Sequence, residues 1–214
     1  MFTTALYSLK SPQNLGMIAR THVALGGDML VDVVDGEKPW TWNQRSVYWS
    51  RGVHKSVDLK SFTDFDAFVR WAHEERKQEI VAVEISESAV MLPDFQFPDH
   101  PILLLGNETV GIPREMLARC DHVVVIPHFG PIVGSLNVSN AAAIVMYEAV
   151  RSKGSQCRPI EGAVFSSPQS SKEERRRLLS SRSSSSHESP GNDDGFDQDD
   201  DEDDDDLNTV PLFD

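Results

Sequence analysis

Short apolar runs alternate with segments of helical periodicity along the first two thirds of the chain. Five of these runs predict strands, over residues 2–9, 29–34, 80–85, 101–105 and 123–126. The last three are continuously apolar, which indicates strands that are covered on both faces of a sheet. Strands that alternate with helices predict an α/β fold, a mostly parallel sheet flanked by helices.

Two helices are predicted from their start signals and apolar spacing. The first begins at Ser11 and Pro12, a side-chain cap followed by proline at the first helical position. At 100° per residue its apolar face consists of Leu15, Ile18, Ala19, His22 and Leu25. Arg20 points away from that face and is free to meet solvent, a partner or a ligand. The second helix begins at Thr63 and Asp64, with apolar residues at positions 65, 68, 69 and 72.

The composition changes at Gly162. Residues 1–162 hold 15 Lys and Arg against 19 Asp and Glu, a net charge of −4, whereas residues 163–214 hold 5 against 15, a net charge of −10. The acidity therefore belongs mainly to the C-terminal segment and does not argue against nucleic acid binding by the rest. That segment is Ser-rich and then acidic, so we predict a folded domain over residues 1–162 and a disordered tail over 163–214. A solvated charge run is the default interpretation of the tail, and a basic protein partner is the alternative.

Cysteine content and hydropathy limit the cellular setting. Cys120 and Cys157 are too few for a disulfide framework or a zinc cluster, which favours a reducing compartment and no metal site. No apolar run approaches the roughly 18 to 20 residues that span a bilayer. Residues 1–10 also lack the features of a secretory signal. We expect a soluble, intracellular protein that does not bind membranes, in the cytoplasm by default, with an organelle or the nucleus left open.

A polar loop follows the predicted strand at residues 101–105. Gly106 and Gly111 bracket the carboxylate of Glu108, and Pro113 starts a helix. Ligands of open α/β sheets bind beyond the carboxyl ends of strands, where glycines let a flat ligand approach the backbone. The alternative is that Glu108 only caps the helix that begins near Pro113.

A second polar loop follows the next strand. Ile126-Pro127 closes that strand, a glycine-rich stretch passes Gly130, and Ser135-Leu136-Asn137 leads into an apolar helix. Free N–H groups at such a helix start can bind a carboxylate or a phosphate, and the alternative is a plain capped helix. Two consecutive loops of this kind favour one shared ligand site.

Three segments together resemble the TrmH-like branch of the SPOUT superfamily of RNA 2′-O-ribose methyltransferases. They are Asn14-Leu15-Gly16 with Arg20, Gly106-Asn107-Glu108 with Gly111, and Ile126-Pro127 with Ser135-Leu136-Asn137-Val138-Ser139. Three ordered motifs across residues 3–153 are far more specific than one glycine pattern. The resemblance implies a C-terminal trefoil knot, in which the helix over residues 137–151 is threaded through a loop, and a homodimer with a composite site.

The resemblance also implies a site for S-adenosylmethionine (AdoMet) and for a ribose of tRNA or rRNA. The residues implied around the ribose and the reacting methyl group are Asn14, Arg20, Glu108, Ser135 and Asn137, with Arg20 coming from the partner subunit. The implied cofactor-binding residues are Leu105, Gly106, Asn107, Glu108, Gly111, Ile126, Pro127, Gly130, Ser135 and Leu136. A guanidinium with a pKa above about 12 is a poor base, so we interpret Arg20 as a phosphate and ribose clamp and leave the proton acceptor open.

Two departures from the family pattern keep a second function open. Thr109 stands where the family usually has glycine, and the loop over residues 126–135 is one residue longer than usual. The alternative to an active enzyme is therefore a catalytically inactive SPOUT-fold RNA-binding or ribosome assembly factor. A dinucleotide-dependent oxidoreductase is excluded, because no G-x-G-x-x-G follows the first strand.

Residues 38–55 interleave cations with aromatic side chains. The cations are Lys38, Arg45, Arg51 and Lys55, and the aromatic residues are Trp40, Trp42, Tyr48 and Trp49. This pattern suits base stacking combined with phosphate neutralisation. The alternative, that the tryptophans anchor the core or a dimer interface, stays open at this point.

Overall fold

A computed structural model describes residues 1–34, 38–130 and 134–154, and the predicted tail over 163–214 lies outside the described residues. Seven strands form one sheet: β1 Thr3–Tyr7, β2 Met29–Val33, β3 Leu59–Phe62, β4 Ile80–Val83, β5 Val90–Met91, β6 Ile102–Leu105 and β7 His122–Val125. Their order in the sheet is β3-β2-β1-β6-β4-β7-β5, and every neighbouring pair is parallel. The predicted parallel α/β sheet is confirmed.

The five predicted strands are all present, with ends shifted by at most two residues, and two strands were missed. The missed strand β3 lies at one edge of the sheet beside β2, and its residues are mostly half-buried. The missed strand β5 has only two residues, both exposed, at the other edge. The polar residues of β3 interrupt its apolar pattern, and β5 is too short to show a strand period.

Within the described residues, five α-helices accompany the sheet: α1 Pro12–Ala24, α2 Gln44–Ser50, α3 Phe65–Arg70, α4 Arg114–Leu117 and α5 Val138–Arg151. Ser11 caps α1 as predicted, and Asp64 caps α3 through Asp66 and Ala67 N–H groups. A π-helical turn, Trp71–Arg76, continues α3. The predicted face of α1 is buried except for Leu25, which is half-buried at the helix end, and Arg20 is exposed.

Two apolar layers cover the faces of the sheet. On one face, Leu6, Leu30 and Leu103 pack with α1 and α5. On the other, alternate strand residues such as Ala5 and Leu104 pack with α3 and its π-helical turn. Because successive strand side chains point to opposite faces, a strand that is covered on both faces buries successive side chains, and most of these are apolar. This is the arrangement that the apolar runs predicted.

Helix α2 lies directly against α1 at Gly16. A Cβ atom at Gly16 would lie 2.5 Å from the Ser46 carbonyl oxygen and 2.8 Å from the Ser50 nitrogen, so only glycine permits this approach. The segment before α2 is held by Trp40, whose indole N–H donates to the Leu9 carbonyl at 2.8 Å. Trp40 and Trp42 both pack against the core, which favours the anchor interpretation for these two residues. The exposed Tyr48 does not share that role.

No helix in the described part is long and apolar enough to cross a membrane. Within the same residues, no group of three or more His, Cys, Asp or Glu side chains is arranged to hold a metal ion.

Candidate functional site

A cavity of about 500 Å³ opens at the carboxyl ends of the parallel strands. We call this end of the sheet the carboxyl edge, and the opposite end the amino edge. Because β6, β4 and β7 are adjacent and parallel, the segments that follow them meet at the same edge. The start of α5 closes a further side of the cavity. The residues that line it are Val83, Glu84, Ile85, Leu105, Gly106, Asn107, Glu108, Thr109, Val110, Gly111, Val125, Ile126, His128, Ser135, Leu136, Asn137, Val138 and Ala141.

Glu108 joins the loop after β6 to the start of α1. Its carboxylate accepts hydrogen bonds from the Lys10 N–H, the Ser11 N–H and the Asn14 Nδ2, each at 2.9 Å. Partial desolvation acts to raise the pKa of Glu108, but these donors outweigh it and hold the pKa below its usual value. The interpretation of Glu108 as a cap for the helix near Pro113 is wrong, since that helix has no side-chain cap and Glu108 serves α1 instead.

Asn14 extends this contact to α5. The Asn14 Oδ1 accepts from Asn137 Nδ2 at 3.3 Å, and the Asn137 Oδ1 in turn accepts from the Ser139 N–H at 2.9 Å. Asn137 is therefore the cap of α5, as the plain-helix alternative held, but its amide also reaches Asn14. We call Glu108, Asn14 and Asn137 the carboxyl-edge network. It connects segments that are 94 and 123 residues apart in the chain.

The two glycines of the loop after β6 have a structural cause that the sequence interpretation did not give. Gly111 has a φ of +66°, and its N–H donates to the Asn107 carbonyl at 2.9 Å. A Cβ atom at Gly106 would lie 2.7 Å from the Gly111 carbonyl carbon. The glycines therefore let the loop close on itself, and this requirement does not depend on a ligand. Thr109 has no positive φ and donates its N–H to Asn107 Oδ1 at 2.8 Å, so the loop accepts threonine where the family usually has glycine.

Glu84 is a cavity residue that the sequence analysis missed. It directly follows β4, and its Oε2 accepts from the Ile112 N–H at 2.8 Å while its Oε1 accepts from the Ile85 N–H at 2.9 Å. It therefore holds the far end of the loop after β6. The predicted strand over residues 80–85 was too long and placed Glu84 inside the strand. The run is continuously apolar only as far as Val83, and the charge of Glu84 was the available signal that the strand ends there.

The other predicted site residues divide into three groups. Leu105, Ile126, Ser135 and Leu136 line the cavity together with Glu108 and Asn137, whereas Asn14 does not line it. Pro127 and Gly130 do not line it. Arg20 is exposed on α1, does not line the cavity and forms no ion pair with the described residues.

An apolar groove lies beside the cavity along α5. Ile126 borders both, and Pro127 belongs to this groove. Three large side chains in it are exposed: Phe129 at 94%, Tyr147 at 59% and Ile144 at 41%. We call this surface the α5 groove. Contiguous apolar surface of this kind is typical of a protein contact.

Comparison with known proteins gives one family. The sequence profile of the SpoU rRNA Methylase family matches residues 1–147. A 23S rRNA (uridine(2479)-2′-O)-methyltransferase from Streptomyces viridochromogenes is 34% identical over 146 residues, with 67% of this chain and 50% of that protein covered. A tRNA (cytidine(34)-2′-O)-methyltransferase from Beijerinckia indica is 31% identical over 171 residues, with 78% of this chain and 98% of that protein covered.

Solved structures agree with the fold. The SpoU methyltransferase AviRb from Streptomyces viridochromogenes, in complex with the cofactor AdoMet, superimposes with a TM-score of 0.63 at 30% identity, with 71% of this chain and 57% of that one covered. The chain thus spans little more than half of the AviRb structure and half the length of the Streptomyces rRNA enzyme.

Proposed function

The chain belongs to the SpoU rRNA methylase family, and from that premise we propose that it transfers a methyl group from AdoMet to a ribose 2′-hydroxyl of a tRNA or rRNA. The observation that carries this proposal is the carboxyl-edge network, which joins all three motif segments beside one cavity. Two relatives that match most of the folded part are named for methylation of this hydroxyl, one on tRNA and one on rRNA.

The cavity fits a cofactor of this chemistry. Its volume of about 500 Å³ lies in the range of small-molecule sites. Val83, Ile126 and Leu136 supply apolar surface for a flat base, and the Glu84 carboxylate supplies an acceptor for hydroxyl or amino groups. We assign the cofactor to the loops that carry Leu105 to Glu108 with Gly111, Ile126, Ser135 and Leu136. AdoMet supplies an electrophilic methyl group on a sulfonium.

The protein residues align the ribose and stabilise the reacting geometry. Asn14, Glu108 and Asn137 fix the positions of the loop after β6 and the starts of α1 and α5 relative to one another. Ser135 lies at the α5 side of the cavity, where its hydroxyl can bond the ribose. Such positioning supplies up to about 7 to 11 kcal/mol of a barrier. The Glu108 carboxylate accepts hydrogen bonds from three donors, and its pKa is lowered, so we assign Glu108 a positioning role.

Arg20 completes the site from a second subunit in this proposal. Its exposure, away from the cavity of its own chain, supports delivery to the site of the partner. The α5 groove supports the homodimer, because Phe129, Ile144 and Tyr147 leave apolar surface uncovered beside the cavity. A guanidinium keeps its charge and binds phosphate in a bidentate manner, so Arg20 clamps the RNA backbone. From the family we also propose the trefoil knot, with α5 threaded through a preceding loop.

AdoMet binding and methyl transfer test the proposal. Calorimetric titration of the full chain with AdoMet should show binding, and labelled methyl from AdoMet should enter total tRNA or rRNA. A 2′-O-methyl group blocks alkaline cleavage of the next phosphodiester, so the label should appear in alkali-resistant dinucleotides. Light scattering of the same sample should give the mass of a dimer.

Three results would contradict this function. AdoMet binding without label in RNA would remove the methyl transfer, and absence of AdoMet binding would favour the inactive RNA-binding or assembly factor. Label in the mononucleotides that alkali releases would instead place the methyl group on a base.

A further inference from the structure

The segment over residues 38–55 stands apart from the rest of the chain in charge. It contains Lys38, Arg45, Arg51 and Lys55 and no Asp or Glu, a net charge of +4. Residues 1–162, which include it, carry a net charge of −4. Polyanions bind where cations cluster, whatever the net charge of the whole chain.

Helix α2 turns one polar face inward and one cationic, aromatic face outward. Ser46 and Ser50 are completely buried against α1. Arg45 and Tyr48, three residues apart, lie on the opposite, exposed face. The α2 platform, as we call it, consists of Arg45, Tyr48 and Arg51.

The platform holds an aromatic ring in a fixed position. The Arg51 guanidinium lies 4.8 Å from the centroid of the Tyr48 ring, and the Trp49 ring meets Tyr48 edge-on at 5.5 Å between centroids. Tyr48 still exposes 58% of its surface, although a large apolar side chain gains by burial. An exposed aromatic ring that is held in position beside a guanidinium group matches the surface on which unpaired bases stack.

The segment that precedes the platform reaches the neighbourhood of the cavity through side-chain to backbone hydrogen bonds. The Trp40 indole binds the Leu9 carbonyl, and the next residue, Lys10, donates its N–H to Glu108. Because β2 and β1 are neighbouring parallel strands, the segment after β2 starts at the same edge of the sheet as the cavity. A nucleic acid held on α2 therefore approaches the carboxyl-edge network.

We propose that the α2 platform binds the RNA substrate, with an unpaired base stacked on Tyr48 and Arg51 and with phosphates paired to Arg45 and Arg51. This inference rests on the proposed methyltransferase function and specifies its substrate class, an RNA with a single-stranded loop or end. Double-stranded RNA is a poor ligand for this surface, since its bases are already stacked on one another.

Fluorescence anisotropy with the full chain tests the platform, with an RNA hairpin that has a single-stranded loop and a fully paired duplex as probes. Tyr48→Ala should weaken hairpin binding about 5- to 100-fold, whereas Tyr48→Phe keeps the ring and should retain it. Arg45→Gln and Arg51→Gln should each lower the slope of log Kd against log salt by about 0.7. Arg70→Gln, an exposed arginine on α3 at the other face of the sheet, is the matched control and should change neither value.

Three results would overturn the platform. The first is no binding of either RNA by the wild-type chain. The second is equal hairpin affinity and salt slope in Tyr48→Ala and wild type. The third is loss of the dimer in Tyr48→Ala with unchanged hairpin affinity, which would make α2 a protein interface. Calorimetry with AdoMet on wild type and Tyr48→Ala separates the two proposals. If AdoMet does not bind while hairpin binding still depends on Tyr48, the methyltransferase function fails and the platform stands.

Discussion

Two polar networks lie at opposite edges of the same parallel sheet, and they differ in what they leave open. At the amino edge, Asp28 forms an ion pair with Arg76 and accepts from the Thr3 hydroxyl at 2.8 Å, while Arg76 Nε donates to Gln78 at 2.9 Å. Its members pair mainly with one another and line neither the cavity nor the α5 groove. The carboxyl-edge network uses similar chemistry, yet Glu108 and Asn137 face a cavity.

The comparison explains why polar residue types alone do not identify a site. Each network ties distant segments together, since Thr3 and Arg76 are 73 residues apart and Asn14 and Asn137 are 123 apart. The amino-edge network, formed by Asp28, Arg76, Thr3 and Gln78, has the properties of a structural contact between segments. The carboxyl-edge network lies where the loops of adjacent parallel strands meet, which is the common place for ligands in such sheets. Substitutions at the two edges should therefore separate stability from activity.

The largest expected effect is the loss of methyl transfer in Arg20→Ala. A preorganised charged donor contributes about 10²- to 10³-fold to rate, and we expect a decrease of that size in the initial rate of label transfer to RNA. AdoMet affinity by calorimetry should remain nearly unchanged, because the proposal assigns Arg20 to the RNA phosphate and not to the cofactor. Arg70→Ala is the matched exposed arginine and should retain activity. Loss of AdoMet binding in Arg20→Ala would move Arg20 from the RNA side of the site to the cofactor side.

At the amino edge, we expect His22 to lower the free energy of unfolding in acid. Burial lowers the pKa of His22 to about 4, while Asp28 acts weakly in the opposite direction, and Thr4 Oγ1 lies 3.0 Å from the His22 Nδ1. The unfolded chain binds the proton first, near pH 6.5, so stability falls as the pH drops from 6.5 through 4. The total decrease from this group is about 3 kcal/mol, at most about 1.4 kcal/mol per pH unit.

Urea unfolding between pH 8 and pH 5 measures the His22 contribution. The free energy of unfolding should decrease more steeply in wild type than in His22→Gln, and AdoMet affinity at pH 8 should be equal in both. If His22→Gln does not fold, NMR titration of the wild-type imidazole serves instead. A His22 ring that titrates near pH 6.5 in the folded protein would contradict the prediction.

A pair of matched carboxylate substitutions compares the two edges directly. Glu108→Gln and Asp28→Asn each keep the side-chain shape but remove a charged acceptor of two or more hydrogen bonds. Each should lower the free energy of unfolding by about 1 to 3 kcal/mol. Only Glu108→Gln should also weaken AdoMet binding and slow transfer, since only Glu108 fixes the cavity loop. Equal loss of AdoMet affinity in both variants would remove the functional difference between the edges.

The sequence was informative wherever local physics and burial agree. Continuous apolar runs located β4 and β6, which are buried on both faces, and also β7, in which only Val124 is fully buried. Helix α1 was predicted from Ser11, Pro12 and an apolar face, all of which depend on neighbours within the helix. The edge strand β3 escaped because its half-buried residues have no clear period.

The site depended on information that periodicity does not contain. Glu108 meets Asn14 only because β6 lies beside β1, and strand order cannot be derived from hydrophobic spacing. The family resemblance supplied the three segments, and the structure supplied the contacts between them. Two causes remained hidden from the sequence: Gly16 permits the approach of α2, and Gly106 permits closure of its own loop. Both were interpreted from motifs alone, where a glycine near a ligand and a glycine near another backbone look the same.

The smallest expected effect concerns Thr109, the departure from the family pattern within the cavity loop. Thr109 adopts no positive φ, and its N–H bond to Asn107 is one that glycine can also make. Thr109→Gly should therefore leave AdoMet affinity and transfer rate unchanged, and it should lower the free energy of unfolding by about 0.4 to 1 kcal/mol, because glycine gains entropy in the unfolded chain. Gly111→Ala is the control in the same loop: at a φ of +66° it should destabilise more and weaken AdoMet binding. A gain of transfer in Thr109→Gly would mean that threonine limits the activity of the carboxyl edge, as the inactive alternative requires.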